Sequence, residues 1–261
     1  MRQFIKMPVY RFYERRLLAE VRRGPAPKHI GLILDGNRRY GKLHGVKGYF
    51  DVYSAGAGKL DELLEWSIDL GVKAITLWVF STDNFSRSTE ELTGLRAAAE
   101  AKLEALARDP WIHKHRVRVR AVGRLDLLPP STVAAVRAAE AATNGYEEMQ
   151  VTLAAAYGGR EEITDAVRKL LADEAARNTP LGEVIERVTP EAISRYLYAP
   201  DLPDPDLIIR TSGEIRLSGF MLWQSTYSEF YFTDVFWPAM RHIDFLRAVR
   251  SFQQRQRRFG K

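Results

Sequence analysis

The sequence predicts an α/β protein built on one open, mostly parallel sheet of about six strands flanked by helices. Three observations carry this. Short apolar runs alternate with longer segments whose apolar residues recur at helical spacing. Two of those runs end abruptly in charged clusters, as strands do when their carboxyl ends face a ligand crevice. No repeat, low-complexity stretch or linker divides the chain, and 261 residues suffice for one sizeable core.

Residues 1–27, closed by Gly24-Pro25-Ala26-Pro27, read as a basic, aromatic arm or helix, and residues 28–261 as the main domain. Strand-like runs follow at 29–34, 74–80, 117–123, 149–155, 206–210 and 230–233. Between them, residues 51–70 place Leu60, Leu63, Leu64 and Ile68 on one helical face, and Gly71 ends the helix. Residues 90–107 are rich in Ala and Leu and precede Pro110. Further helices are read at 132–142 and 161–176, and Thr189-Pro190-Glu191 reads as a helix start with Pro at its first position. Residues 242–258 read as the closing helix. Such alternation implies right-handed crossovers between parallel strands.

Composition narrows the class. The chain has no cysteine, which excludes disulfides, thiolate nucleophiles and Cys-ligated metals and favours a cytoplasmic setting. No apolar run is long enough to cross a bilayer, and the basic start lacks the apolar centre of a signal peptide. The net charge is +6, with 29 Arg against 10 Lys. That basic surface suits nucleic acid, an anionic membrane face or phosphorylated substrates. No nucleic-acid motif accompanies it, so nucleic acid is not an expected partner. The dense run Arg255-Gln256-Arg257-Arg258 reads as a solvated helix end.

Two clusters carry the chemistry. His29-Ile30-Gly31-Leu32-Ile33-Leu34 runs into Asp35-Gly36-Asn37-Arg38-Arg39, a carboxylate, a permissive Gly and two guanidinium groups at a strand end. This set suits a magnesium-bound, multiply charged anion such as a diphosphate. Asp206-Leu207-Ile208-Ile209-Arg210 similarly leads to Thr211, Ser212, Gly213, Glu214, Arg216, Ser218, Gly219 and Phe220. There, guanidinium groups, a hydroxyl and turn N–H groups can hold a second anion. Glu229 offers another hard oxygen ligand. Two such clusters imply two anionic substrates, or one long anion held at both ends.

Other motifs fail. Ala55-Gly56-Ala57-Gly58-Lys59 resembles a phosphate loop, but Tyr53 and Leu60 stand where that loop needs Gly and Ser or Thr. His113 and His115 alternate like strand neighbours and lack a third metal ligand. Tyr157-Gly158-Gly159-Arg160 reads as a strand-to-helix turn.

These clusters, together with Phe80-Ser81-Thr82-Asp83-Asn84-Phe85-Ser86-Arg87 and Leu222-Trp223-Gln224 with Tyr227 and Glu229, resemble the cis-prenyltransferases. These are the Z-type isoprenyl diphosphate synthases, which include undecaprenyl diphosphate synthase. The resemblance spans residues 28–260 in consistent order. The absence of any Asp-Asp pair separates the chain from the trans-type synthases, which use paired aspartate-rich motifs.

The resemblance implies Mg²⁺-dependent condensation of isopentenyl diphosphate with an allylic diphosphate, in a homodimer with a hydrophobic tunnel. It implies catalytic roles for Asp35 and Asn84. The allylic diphosphate would lie at Gly36, Asn37, Arg38, Arg39, Tyr40 and Tyr53, with Ser81, Thr82, Asp83, Phe85 and Arg87 near the reacting ends. Isopentenyl diphosphate would lie at Arg210, Arg216, Leu217 and Ser218. By the same resemblance Asp35 would be the metal ligand, joined by Glu229 of the same chain or of a neighbouring subunit. The chain departs from the longer-chain pattern between Gly41 and Gly56, where Tyr49 and Tyr53 stand in place of an Arg and a His, and where Lys47 could supply the missing charge. At Val79, long-chain relatives often carry Ala, so Val79 is expected to act as a chain-length wall. Together with the arm, this resembles the short-chain branch that makes (2Z,6E)-farnesyl diphosphate from geranyl diphosphate. The Ala run at 97–99 points the other way, toward a medium- or long-chain product made from farnesyl diphosphate. A non-catalytic scaffold subunit of the same family would have lost the carboxylate or the Arg/Ser cluster, and this chain keeps both. The arm mixes aromatic and basic residues, as helices at a membrane surface do, and reads either as a packed helix or as a peripheral membrane contact.

Overall fold

The computed structural model describes residues 6–255. Six parallel strands form one sheet in the order β3-β4-β2-β1-β5-β6. They are β1 (His29–Ile33), β2 (Ala74–Trp78), β3 (Val117–Val122), β4 (Met149–Ala154), β5 (Leu207–Arg210) and β6 (Glu229–Phe232). Each strand expected from the sequence forms, with ends shifted by a few residues at most. The inner strands are buried on both faces, which is why they read as continuous apolar runs rather than alternating ones.

Helix α1 (Lys6–Val21) packs on α10 (His242–Gln254) through Leu17 and Val21. Between β1 and β2 run α2 (Asn37–Leu43) and α3 (Tyr49–Asp69). Helices α4 (Thr89–Arg108) and α5 (Pro110–Lys114) join β2 to β3, and α6 (Pro130–Ala142) joins β3 to β4. Helices α7 (Gly159–Ala176), α8 (Leu181–Arg187) and α9 (Pro190–Ser194) lead to β5. Thr189 caps α9 by accepting from the Ala192 N–H at 3.2 Å. One face of the sheet carries the main core with α1, α3, α4, α6 and α10, and the other carries a smaller one around Tyr157, Phe220 and Met221.

Residues 37–39 form the first turn of α2. One local reading needs correction. His113 and His115 are not strand neighbours: Pro110 opens α5, Asp109 caps it, and His113 binds the Tyr146 hydroxyl and the Ala107 carbonyl. The basic run continues from Arg255 into 256–258, which lie outside the described residues.

The topology fixes where a ligand can sit. After β1 the chain crosses toward β2, whereas after β5 it moves the opposite way to β6. β1 and β5 are neighbours, so their carboxyl ends open a crevice at the switch point.

Candidate active site

Asp35 follows β1 and Arg210 ends β5, and the two meet across this crevice. The Arg210 guanidinium donates to Asp35 Oδ2 at 2.9 Å and to Ser218 Oγ at 2.9 Å, and it also binds the Arg216 carbonyl. Arg210 is 4% exposed and its Nε has no protein partner. Thr211 ties the two strand ends together, its hydroxyl accepting from the Asp35 N–H at 2.9 Å and donating to the Asp35 carbonyl at 2.7 Å.

Gly36 turns the chain from β1 into α2 at φ +99°, where a Cβ would stand 2.8 Å from the Phe236 ring. That turn brings Arg39 to Ser212 Oγ at 2.6 Å and over the Phe236 ring at 5.4 Å. The Glu214 carboxylate bridges the two clusters, 2.5 Å from Arg216 and 3.6 Å from Arg39. Ser212 and Ser218 adopt positive φ, at +78° and +52°, in a region that favours Gly. Such backbone costs on the order of 1–3 kcal/mol per residue and concentrates at functional sites.

These residues line a pocket of about 760 Å³. Asp35, Gly36, Asn37, Arg38, Arg39, Tyr53, Val79, Ser81, Asp83, Asn84, Arg87, Arg210, Arg216 and Ser218 are all on its wall. So is Lys42, whereas Lys47, read as a source of charge here, is not on the wall. Six cationic side chains face three carboxylates there, so the pocket is built for anions.

Five expected residues stand elsewhere. Tyr40 stacks on His44 at 4.0 Å, outside the wall. Thr82 starts a short 3₁₀ turn and packs near Gly158. Phe85 meets Phe80 edge-on at 4.8 Å. Leu217 packs with the smaller core around Phe220. Glu229 begins β6, at the opposite end of the sheet from Asp35, and pairs with Arg255 at 2.6 Å. Within one chain it therefore cannot share a metal with Asp35.

Two buried acids escaped the sequence reading. Glu91, 4% exposed, accepts from the Tyr53 hydroxyl at 2.6 Å and from Arg87 at 2.9 Å, with Arg38 at 3.5 Å. Burial and this carboxylate push the Tyr53 phenol well above its ordinary pKa, so it stays protonated. Glu162, 2% exposed, binds the Tyr157 hydroxyl at 2.5 Å and Gln224 at 3.2 Å, behind the Arg216–Phe220 turn. The Leu222-Trp223-Gln224 motif is thus framework: Trp223 also donates to Ser194 at 2.9 Å. The available signal was a Glu four residues after Arg87 on a helix and a Glu in the first turn of α7.

Below the polar pocket, an apolar tunnel of about 120 Å³ runs between α3, α4, α6 and the sheet. Leu34, Asn37, Tyr53 and Val79 belong to both walls, so the two spaces adjoin. Asn84 holds the loop at the rim, its Oδ1 accepting from the Ser81 N–H at 3.0 Å.

Among the described residues, no three His, Cys, Asp or Glu side chains converge as a metal cage. Asp35 nevertheless fits Mg²⁺, which is commonly held by one or two carboxylates completed by substrate phosphates. No helix among the described residues is long and apolar enough to cross a membrane.

Residues 33–260 match the family model described as putative undecaprenyl diphosphate synthase. An isoprenyl transferase of Thermus thermophilus is 53% identical over 98% of this chain and 97% of its own length. A (2Z,6E)-farnesyl diphosphate synthase of Thermobifida fusca is 50% identical over 98% of each chain. A geranylgeranyl-diphosphate-specific tritrans,polycis-undecaprenyl-diphosphate synthase of Methanopyrus kandleri is 49% identical over 97% of this chain and 92% of its own. Among solved structures, lavandulyl diphosphate synthase from Lavandula x intermedia, in complex with dimethylallyl diphosphate, aligns with a TM-score of 0.81 and 31% identity over 90% of this chain and 99% of its own. With the parallel sheet, the anion pocket at its switch point and these matches together, the chain belongs to the undecaprenyl diphosphate synthase family of cis-prenyltransferases.

Proposed function

We propose that this enzyme condenses isopentenyl diphosphate with geranyl diphosphate to give (2Z,6E)-farnesyl diphosphate. The carrying observation is the junction at Tyr53 and Val79, where a cationic pocket opens into an apolar tunnel of only about 120 Å³. For scale, a dry cavity of about 150 Å³ holds one benzene, so the tunnel has no room for a tail of many isoprene units.

In this reading, Arg38 and Arg39 hold the allylic diphosphate and Arg210, Arg216 and Ser218 hold isopentenyl diphosphate. The bond between allylic C1 and its diphosphate oxygen breaks, and the oxygen keeps the electron pair. C4 of isopentenyl diphosphate bonds to C1, its C2 loses a proton, and a cis double bond forms between C2 and C3. Bound at Asp35, Mg²⁺ would act as Lewis acid for the departing diphosphate. Asn84 is a poor base and already holds its loop, so it serves as a positioning residue and the departing diphosphate takes the proton. The tunnel and Phe80 on the pocket wall exclude water from the allylic cation.

A longer product from farnesyl diphosphate is the second reading, favoured by Ala98 and Ala99 on the tunnel wall. The protein is incubated with labelled isopentenyl diphosphate, Mg²⁺ and either geranyl or farnesyl diphosphate, and the products are chromatographed. A three-unit product from geranyl diphosphate supports the first reading. Dominant products of ten or more units refute it.

The reading extends to a homodimer in which Glu229 of one copy completes the metal site of the other, with residues 1–27 as an arm on the catalytic domain 28–261. Mixing inactive Asp35→Ala and Glu229→Ala chains should restore activity if the site is shared, and should not if it is not. The arm is also read as a peripheral contact with anionic membranes: Tyr10, Arg11, Phe12, Arg15 and Arg16 are exposed on α1, while Leu17 and Val21 face the domain. Unchanged liposome binding after deletion of residues 1–20 would remove that role.

A further inference from the structure

Helices α3 and α4 form one side of the tunnel, and two polar contacts pin them together at different depths. The upper pin is the Tyr53 hydroxyl on Glu91, at the pocket rim. The lower pin is the Lys102 ammonium on Asp61 Oδ1, at 2.5 Å. At a helical rise of about 1.5 Å per residue, Lys102 lies about 16 Å beyond Glu91 and Asp61 about 12 Å beyond Tyr53. The lower pin therefore sits at the deep end of the space a prenyl tail would enter.

Lys102 is on the tunnel wall, among side chains that are otherwise almost all apolar. Its neighbours there are small: Ala57 on α3 and Ala98 and Ala99 on α4. Small residues leave a gap between the helices, and the four-carbon stem of Lys102 is available to fill it. The side chain is 16% exposed, whereas Asp61 is 50% exposed. This is the arrangement in which a lysine lays its stem along apolar surface and keeps its charge at the water. A surface ion pair of this kind contributes only about 0–1 kcal/mol to stability. Its consequence is geometric: it fixes where the stem lies.

We propose that Lys102, moored by Asp61, is the stopper of the tunnel and sets product length together with Val79. Val79 narrows the entrance and Lys102 closes the far end. A tail that reached Lys102 would have to displace the moored stem from the gap it fills and break the ammonium's contact with Asp61. The proposal rests on the reading that the prenyl tail occupies this tunnel.

Two measurements test it. Products made from geranyl diphosphate are chromatographed for the wild type, Lys102→Ala, Lys102→Met and Asp61→Asn. Binding of n-alkyl phosphates of increasing chain length is measured by calorimetry on the same proteins, without turnover. Lys102→Ala should raise the share of products beyond three isoprene units by about tenfold or more, as expected when a few methylenes leave a pocket wall. In the calorimetric series, the alkyl length beyond which affinity stops rising should move upward. Asp61→Asn should do the same to a smaller extent, and Lys102→Met, which keeps the stem's bulk, least of all.

An unchanged length limit in folded Lys102→Ala, with the wild type still elongating, overturns the stopper alone. If Lys102→Ala does not fold, Asp61→Asn at its exposed position decides, and an unchanged limit there is equally fatal. A wild type that neither elongates nor discriminates alkyl length overturns the tunnel reading, and the stopper with it.

Discussion

The pocket and the tunnel share Tyr53 and Val79 but are built by opposite means. The pocket is assembled mainly from three short sequence segments, 33–42, 78–87 and 210–218, which the pairing of β1 with β2 and with β5 brings together. It holds strained backbone at Ser212 and Ser218 and a nearly buried guanidinium at Arg210. The tunnel draws its wall mostly from scattered positions on α3, β2, α4, β3, α6 and β4, in ordinary helix and strand geometry. Charge placed to within an ångström is what transition-state stabilisation needs. Volume is what a prenyl tail needs, and many combinations of side chains supply it. Changes in the pocket should therefore alter rate, and changes in the tunnel should alter product.

The largest expected effect is in the pocket. Asp35→Ala should lower turnover by ~10²–10³-fold with the fold intact, since one electrostatic stabiliser commonly contributes that much. Steady-state kinetics at saturating Mg²⁺, with circular dichroism as the control, measure it. Near-wild-type turnover would break the assignment of Asp35 to the metal.

Next come the two arms of the pocket. Arg216→Ala should raise the Michaelis constant for isopentenyl diphosphate, and Arg39→Ala that for the allylic substrate, each by about ten- to a hundredfold. This is the range for a charge-assisted hydrogen bond of roughly 1.5–3 kcal/mol. Glu214 touches both guanidinium groups, so some cross-effect is expected. Equal effects of each change on both constants would sink the division between the clusters.

The same contrast explains how much was legible in the sequence. Asp35-Gly36-Asn37-Arg38-Arg39 and the run from Arg210 to Ser218 could be read because each is local and ends an apolar strand. Parallel strands such as β1 and β5 could be read because burial on both faces leaves unbroken apolar runs. Glu91 could not, because its partners Tyr53 and Arg87 become meaningful only once α3 packs on α4. Lys102 was one more charge in an Ala-rich helix until that packing turned it toward the tunnel. Glu229 was assigned by its motif alone, and the register of β6 carries it to the far end of the strand.

In the tunnel, Val79→Ala should lengthen the product and change the rate of the first condensation by less than about threefold. The substitution removes two methyl groups from a half-buried wall, and packed walls admit added methylenes only reluctantly. Chromatography of products from geranyl diphosphate reads the shift. An unchanged product would place the length limit wholly at the deep end.

The smallest expected effect on product length belongs to Tyr53, where the two regions join. Tyr53→Phe keeps the ring in the wall and removes only the hydroxyl that Glu91 and Arg87 share. The cost is roughly 1.5–3 kcal/mol of stability, the range for a hydrogen bond to a charged group, and turnover should change only a few-fold because Glu91 still holds Arg87 at 2.9 Å. The sign of its pH dependence follows from the environment. Burial and Glu91 raise the phenol's pKa in the folded state above the ordinary value of 10.0, so the unfolded chain releases this proton first. The stabilisation from neutral Tyr53 is therefore fully present below about pH 10 and is lost as the pH rises toward the folded value. Urea midpoints measured from pH 8 to 11 should fall more steeply for the wild type than for Tyr53→Phe, since Tyr157 and Tyr198 contribute equally to both. Parallel curves would mean that Tyr53 keeps its charge-free state without help from the fold, and the pin between α3 and α4 at the tunnel mouth would have to lie elsewhere.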